Sequence, residues 1–193
     1  MISLLFCLLA LTSPKKILIL GDSISDGYGV EADASYPVLL EKQLRAKDIQ
    51  AQIINGSISG SLSSSGPSRL KWQLKSKPDI IILQLGGNDA LKGTPPQTIK
   101  ENLRKTIQIA KQNQIQVLLA GMKIFQNYGT PYATSFEGIF SELSREEKIP
   151  LIPFILDGVG GKKELNLPDG IHPNEKGHSI ITQTVYKHLR PLL

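Results

Sequence analysis

A chain of 193 residues, 40% hydrophobic and 20% charged, has room for one ordinary globular domain with a substantial core. The formal net charge of +5 comes mostly from scattered lysines, and no basic run exceeds the pairs Lys15-Lys16 and Lys162-Lys163. None is interleaved with aromatics, which excludes a nucleic-acid face and leaves a lysine-rich surface with mild attraction to anionic membrane lipid. The single cysteine, Cys7, excludes a disulfide framework.

Ile2 to Leu11 is almost uninterrupted apolar sequence, followed by Thr12-Ser13-Pro14 and a lysine pair. It is too short to cross a bilayer, where about 20 residues are needed, and has the length of the apolar core of a secretory signal. Residues 1–13 are therefore expected to be a signal peptide and residues 14–193 the domain, sent to the periplasm or secreted. No basic residue precedes the run and no small-x-small cleavage site follows it. A buried segment of a cytoplasmic protein and a lipid-modified Cys7 therefore stay open as alternatives.

From Lys15 onward, short aliphatic runs alternate with segments of helical period. The expected strands are Lys16 to Leu20, Ile49 to Ile54, Asp79 to Leu85, Gln116 to Ala120 and Pro150 to Phe154. These runs are continuous rather than alternating in polarity, as in parallel strands covered on both faces. Tyr36 to Lys47 reads as a helix with Leu39, Leu40 and Leu44 on one side. Pro95 to Gln112 places Ile99, Leu103, Ile107 and Ala110 at steps of three or four, with a proline suited to the first turn. Phe136 to Glu147 and Asn174 to Leu189 complete the helices, Asn174 serving as N-cap. The serine-rich stretch Ser57 to Ser68 reads as one loop leading into a helix. This alternation predicts a single doubly wound α/β domain with right-handed crossovers.

Gly21-Asp22-Ser23 follows the first strand, Asn55-Gly-Ser-Ile-Ser-Gly60 the second and Gly86-Gly-Asn88-Asp89 the third. Open parallel sheets bind ligands outside the carboxyl ends of their strands, so these three segments are expected at one edge. Asp169-Gly-Ile-His172, just before the last helix, sets a carboxylate three residues from an imidazole. A serine hydroxyl is a weak nucleophile until a base takes its proton, and that base needs an orienting group. His172 is the candidate base and Asp169 its partner; His178 and His188 fall on the last helix and are expected at the surface. Gly60 N–H, Ser23 N–H and the Asn88 amide supply the donors of an oxyanion hole.

Each of these residues alone has an ordinary explanation as a turn or cap, and their conjunction in order carries the reading. The Gly21 segment lacks the glycine pattern of a dinucleotide fold and the Gly-Lys-Ser/Thr ending of a phosphate loop. No His-x-His or His-Glu-x-x-His is present, so no metal is expected.

The four segments resemble the sequence blocks of the GDSL or SGNH hydrolases. The chain is most similar to their bacterial thioesterase I, arylesterase and lysophospholipase group through Gly21-Asp-Ser-Ile-Ser-Asp-Gly-Tyr28, Leu85-Gly-Gly-Asn-Asp89, Asn127-Tyr-Gly129 and Pro150-Leu-Ile-Pro-Phe154. The resemblance runs from about Ile17 to the C-terminus. It implies a three-layer αβα, flavodoxin-like fold with a five-stranded parallel sheet in order 2-1-3-4-5. It also implies a catalytic Ser23, Asp169 and His172, an oxyanion hole of Ser23, Gly60 and Asn88, and no cofactor. Ser61-Leu62 departs from the pair that usually follows the glycine.

The expected reaction is hydrolysis of an acyl ester or thioester through an acyl-enzyme on Ser23, by a monomer. Leu91, Phe125, Tyr128 and Phe154, with Met122, Ile124 and Tyr132, are apolar groups after the third to fifth strands that would line an acyl groove. Two alternatives remain: an esterase for short acetyl groups on carbohydrate or cell-wall polymers, and a binding module without catalysis.

Overall fold

The computed structural model describes residues 13–193; the apolar segment 2–11, with Cys7 and nearly all of the expected signal peptide, lies outside them. Among the described residues the strands are β1 (Lys15–Gly21), β2 (Ala51–Asn55), β3 (Ile80–Gln84), β4 (Gln116–Ala120) and β5 (Leu151–Ile152). All neighbouring pairs are parallel, in the order β2-β1-β3-β4-β5. Ile17 to Leu20 of β1 and Ile80 to Leu83 of β3 are wholly buried, because helices cover both faces of these central strands. β2 lies at the edge and is correspondingly half open, with Gln52 exposed.

The helices are α1 (Ser23–Asp26), α2 (Tyr36–Ala46), α3 (Gly66–Gln73), α4 (Gly87–Leu91), α5 (Pro96–Gln112), α6 (Thr130–Glu147) and α7 (Glu175–Leu189). α2 packs against α7, while α3 packs on α5 and α5 on α6. The chain winds outward from β1 to β2 and then returns past β1 to β3. With right-handed crossovers this reversal puts the two helix groups on opposite faces, giving three layers. It also opens a crevice beyond the carboxyl ends of β1 and β3, where Ser23 and Asn88 follow immediately.

Three elements differ most in extent from their sequence expectation. β5 is two residues long rather than five, since the chain turns at Pro153 and folds back over Gly121. A side chain at Gly121 would meet the Pro153 carbonyl at 2.3 Å, so only glycine allows that crossing. α6 begins at Thr130, six residues before Phe136, with Pro131 in its first turn. α3 begins at Gly66, within the serine-rich stretch, again with proline in the first turn. The Asn174 cap forms as expected: its side-chain oxygen accepts the Gly177 N–H at 3.1 Å.

His178 corrects a further expectation. It is fully buried rather than at the surface, and its Nδ1 accepts the Tyr36 N–H at 3.2 Å. The phase of α7 explains this, because His178 lies three and four residues before the buried Ile181 and Thr182. His188 is half-buried and donates from Nδ1 to the Thr184 carbonyl at 2.8 Å.

Candidate active site

Ser23 is the first residue of α1, directly beyond β1. Asp22 caps that helix, its Oδ1 accepting the Ile24 N–H at 3.1 Å, and Gly27 closes it in the left-handed region at φ 86°. The turn is tight where it leaves the strand. A Cβ at Gly21 would fall 2.6 Å from the Ser25 side chain and 2.7 Å from Gln84 Oε1.

His172 arrives from the opposite end of the chain. Its Nε2 lies 2.9 Å from Ser23 Oγ, and its Nδ1 lies 2.7 Å from Asp169 Oδ2. The other carboxylate oxygen, Asp169 Oδ1, accepts the backbone N–H groups of Ile171 at 2.9 Å and His172 at 3.0 Å. Gly170, at φ 70°, lets the intervening chain turn that sharply. The loop is anchored where Leu167 N–H donates to the His172 carbonyl at 2.7 Å and Asn174 N–H to the Leu165 carbonyl at 3.0 Å. The Tyr28 ring packs on the imidazole with centroids 4.5 Å apart. Desolvation pushes the Asp169 carboxyl up, but the hydrogen bonds from His172 and Ile171 and the electrostatic attraction of the imidazole outweigh it and hold the group at about 2. Asp169 is therefore a carboxylate at neutral pH, and its acceptance at Oδ2 puts a proton on His172 Nδ1 and leaves Nε2 free to face the hydroxyl.

Gly60 and Asn88 reach the same edge on loops stitched to one another. Asn88 Nδ2 donates to the Ser61 carbonyl at 3.1 Å, which occupies one of its two amide hydrogens. Asp89, buried one residue on, accepts the Ser63 N–H at 2.7 Å and hydroxyl at 2.6 Å. Asp26 holds the other side of the turn, accepting the Ser59 hydroxyl at 2.6 Å and N–H at 3.1 Å. Gly60 itself has φ 77° with open space where a Cβ would stand, so the backbone conformation rather than crowding requires glycine.

A cavity of about 400 Å³ opens beside Ser23 and His172. Leu91, Met122, Ile124, Phe125 and Phe154 line it, together with Leu156 and Ile171. Tyr128 is not among its lining residues, and Tyr132 turns away to donate its hydroxyl to the Thr94 carbonyl at 2.7 Å. Lys123 stands at the cavity wall, and Tyr28, Ile58, Phe125 and Ile171 are exposed large apolar side chains of the loops around it. Among the described residues no group of three or more His, Cys, Asp or Glu is placed to hold a metal ion, and no helix is long and apolar enough to cross a membrane.

Sequence reasoning missed Asp22 and Gln84. Both are buried beneath the serine, where Gln84 Nε2 donates to Asp22 Oδ1 at 3.0 Å. Burial raises the Asp22 carboxyl to about 6 against the opposing hydrogen bonds from Gln84 and Ile24. The available signal was a lone polar residue ending the apolar run of β3, with its partner directly preceding the serine.

A parallel α/β sheet that presents a serine hydroxyl, an imidazole and a carboxylate in hydrogen-bonded series beside an apolar cavity defines the class of α/β serine hydrolases. Comparison with known proteins narrows the class: the chain belongs to the GDSL-like Lipase/Acylhydrolase family, whose sequence model matches residues 19–180. It is 36% identical to Esterase TesA of Pseudomonas aeruginosa over 180 residues, 93% of this chain and 90% of that protein. It is 38% identical to Thioesterase 1/protease 1/lysophospholipase L1 of Escherichia coli K12 over 178 residues, 92% of this chain and 84% of that protein. A crystal structure of TesA superposes with a TM-score of 0.90 at 36% identity, covering 93% of this chain and all of that one. The chain is an esterase, a carboxylic ester hydrolase of the serine type.

Proposed function

We propose that the protein hydrolyses esters and thioesters of lipid-like acyl chains through an acyl-enzyme on Ser23. The observation that carries this reading is the series Ser23 Oγ, His172, Asp169, with contacts of 2.9 and 2.7 Å, set beside a cavity of mainly apolar lining. His172 Nε2 takes the Ser23 proton as Oγ bonds to the acyl carbon, and Asp169 stabilises the imidazolium that forms. The negative charge on the former carbonyl oxygen is received by the N–H groups of Ser23 and Gly60 and the second amide hydrogen of Asn88. One such donor is worth about 10² to 10³ in rate. His172 then returns its proton to the departing alcohol or thiol. Water, deprotonated by the same imidazole, attacks the acyl carbon, and the imidazole returns that proton to Ser23 Oγ as the Ser23–acyl bond breaks and the acid is released.

The cavity wall of Leu91, Met122, Ile124, Phe125 and Phe154 favours an acyl chain over an acetyl group, because a short group would leave that apolar surface in water. Tyr28, Ile58, Phe125 and Ile171, with Lys123 beside them, suit transient contact of the monomer with anionic lipid. The apolar segment 2–11 fits export to the periplasm or beyond.

Initial rates on p-nitrophenyl esters from acetate to palmitate test the substrate reading. Rising kcat/KM from acetate to medium chains is the expected outcome, and a collapse beyond butyrate would overturn it. Ser23→Ala should abolish turnover of every member of the series.

A further inference from the structure

We propose that Gln84 is a positioning residue for the nucleophile, its amide locking Asp22 and Ser25, one before and two after Ser23, to the end of β3. This rests on the assignment of Ser23 as the nucleophile. Gln84 is wholly buried, and both ends of its amide are engaged. Oε1 accepts the Ser25 hydroxyl at 2.7 Å and the Asp22 N–H at 3.3 Å, while Nε2 donates to Asp22 Oδ1 at 3.0 Å. An amide oxygen only accepts, so the Ser25 proton points to Gln84. The Ser25 oxygen therefore receives the hydroxyl of the buried Tyr36, 2.7 Å away. Tyr36 N–H in turn meets His178 Nδ1 on α7, the helix that starts three residues after His172. The series thus ties the turn that carries the nucleophile to the helix behind the base. Gln84, Ser25 and Tyr36 are each hydrogen-bonded in a fixed sense inside the core, where an unmade bond is costly, while His178 Nε2 at the far end of the series has no partner among the described residues. Arg69 clamps the same turn from the other side, donating to the Gly21 carbonyl at 3.1 Å.

Gln84→Leu and Gln84→Glu test the proposal together. Leucine is close in volume but lacks every polar contact, leaving Asp22 and Ser25 free to shift. Misplacement by about 1 Å costs on the order of 10²-fold in rate. The expected result is a kcat lower by about 10- to 100-fold. KM should stay within about twofold, because uniform binding of substrate is untouched. Labelling of Ser23 by a fluorophosphonate should slow by the same factor as kcat. Glutamate keeps an acceptor for Ser25 but sets a second carboxyl against Asp22, and two such groups share one proton only on acidification. His172, Asp89 and Arg69 also face Asp22 electrostatically, and they are the same in variant and parent, so the activity ratio isolates position 84. That ratio should rise toward one between pH 8 and pH 5, a recovery that a purely structural role would not produce.

A Gln84→Leu protein with kcat within twofold of the parent, or with KM alone altered, overturns the proposal. If that variant gives no cooperative melt, Gln84→Glu decides alone, and a pH-independent ratio overturns it. Failure of the nucleophile assignment has a different mark, the labelling of Ser23→Ala.

Discussion

His178 makes acid stability a quantitative test of the core. The imidazole is fully buried on α7, and its Nδ1 accepts the first N–H of α2 from Tyr36, so the neutral ring fits and the charged ring does not. Burial lowers its pKa from the ordinary 6.5 to about 4. Because the folded value is depressed, the unfolded chain binds the proton first as pH falls. The stabilising contribution is complete above pH 6.5 and is lost as pH drops toward 4. At about 1.4 kcal/mol per pH unit, the loss across that window is about 3 kcal/mol. Asp22, raised to about 6 by burial, acts in the opposite sense over part of the same range, gaining stability on acidification. The parent curve alone would mix the two. Subtracting His178→Gln, which offers Tyr36 an uncharged acceptor, removes every other titrating group. Urea unfolding monitored by circular dichroism at intervals from pH 8 to pH 4 should show the parent losing about 3 kcal/mol relative to the variant. A difference that stays within about 0.5 kcal/mol across that range, below the noise of such extrapolations, would refute the reasoning.

Asn88→Ala removes the amide that we propose as an oxyanion donor and its tie to Ser61; kcat should fall by about 10² to 10³ with KM nearly unchanged, read from steady-state kinetics on a soluble ester. Asp169→Asn takes away the acceptor that sets the His172 tautomer, so kcat should fall by about 10²- to 10⁴-fold while the melt stays cooperative. Gly60→Ala meets no clash but must hold φ 77°, so it should destabilise by about 1 to 2 kcal/mol in chemical denaturation, and a neutral effect would show that the loop simply changes conformation.

The sheet was legible because its central strands are buried on both faces and therefore read as unbroken aliphatic runs. β4 matches its expected bounds, and β1 and β3 differ from theirs by a residue at either end. The edges of elements were harder where proline opened a helix, as at Pro67 and Pro131, since those prolines resemble loop residues in isolation. Ser23, Gly60, Asn88, Asp169 and His172 could be picked out as candidates because each stands within a few residues after a strand or before α7. The stitches between those turns were not, because Asp26 to Ser59, Asp89 to Ser63 and Gln84 to Asp22 join residues 26 to 62 positions apart. His178 was misplaced for a related reason. A histidine on an amphipathic helix looks like a surface residue until α2 supplies the N–H that it accepts.

The central claim is that one hydroxyl, activated by a residue from the far end of the chain, forms the covalent intermediate. The most direct measurement is intact-protein and peptide mass spectrometry after treatment with a fluorophosphonate. A single adduct on the peptide containing Ser23, absent in Ser23→Ala and strongly slowed in His172→Ala, is the predicted result. An adduct elsewhere, or undiminished labelling of Ser23→Ala, would contradict the account.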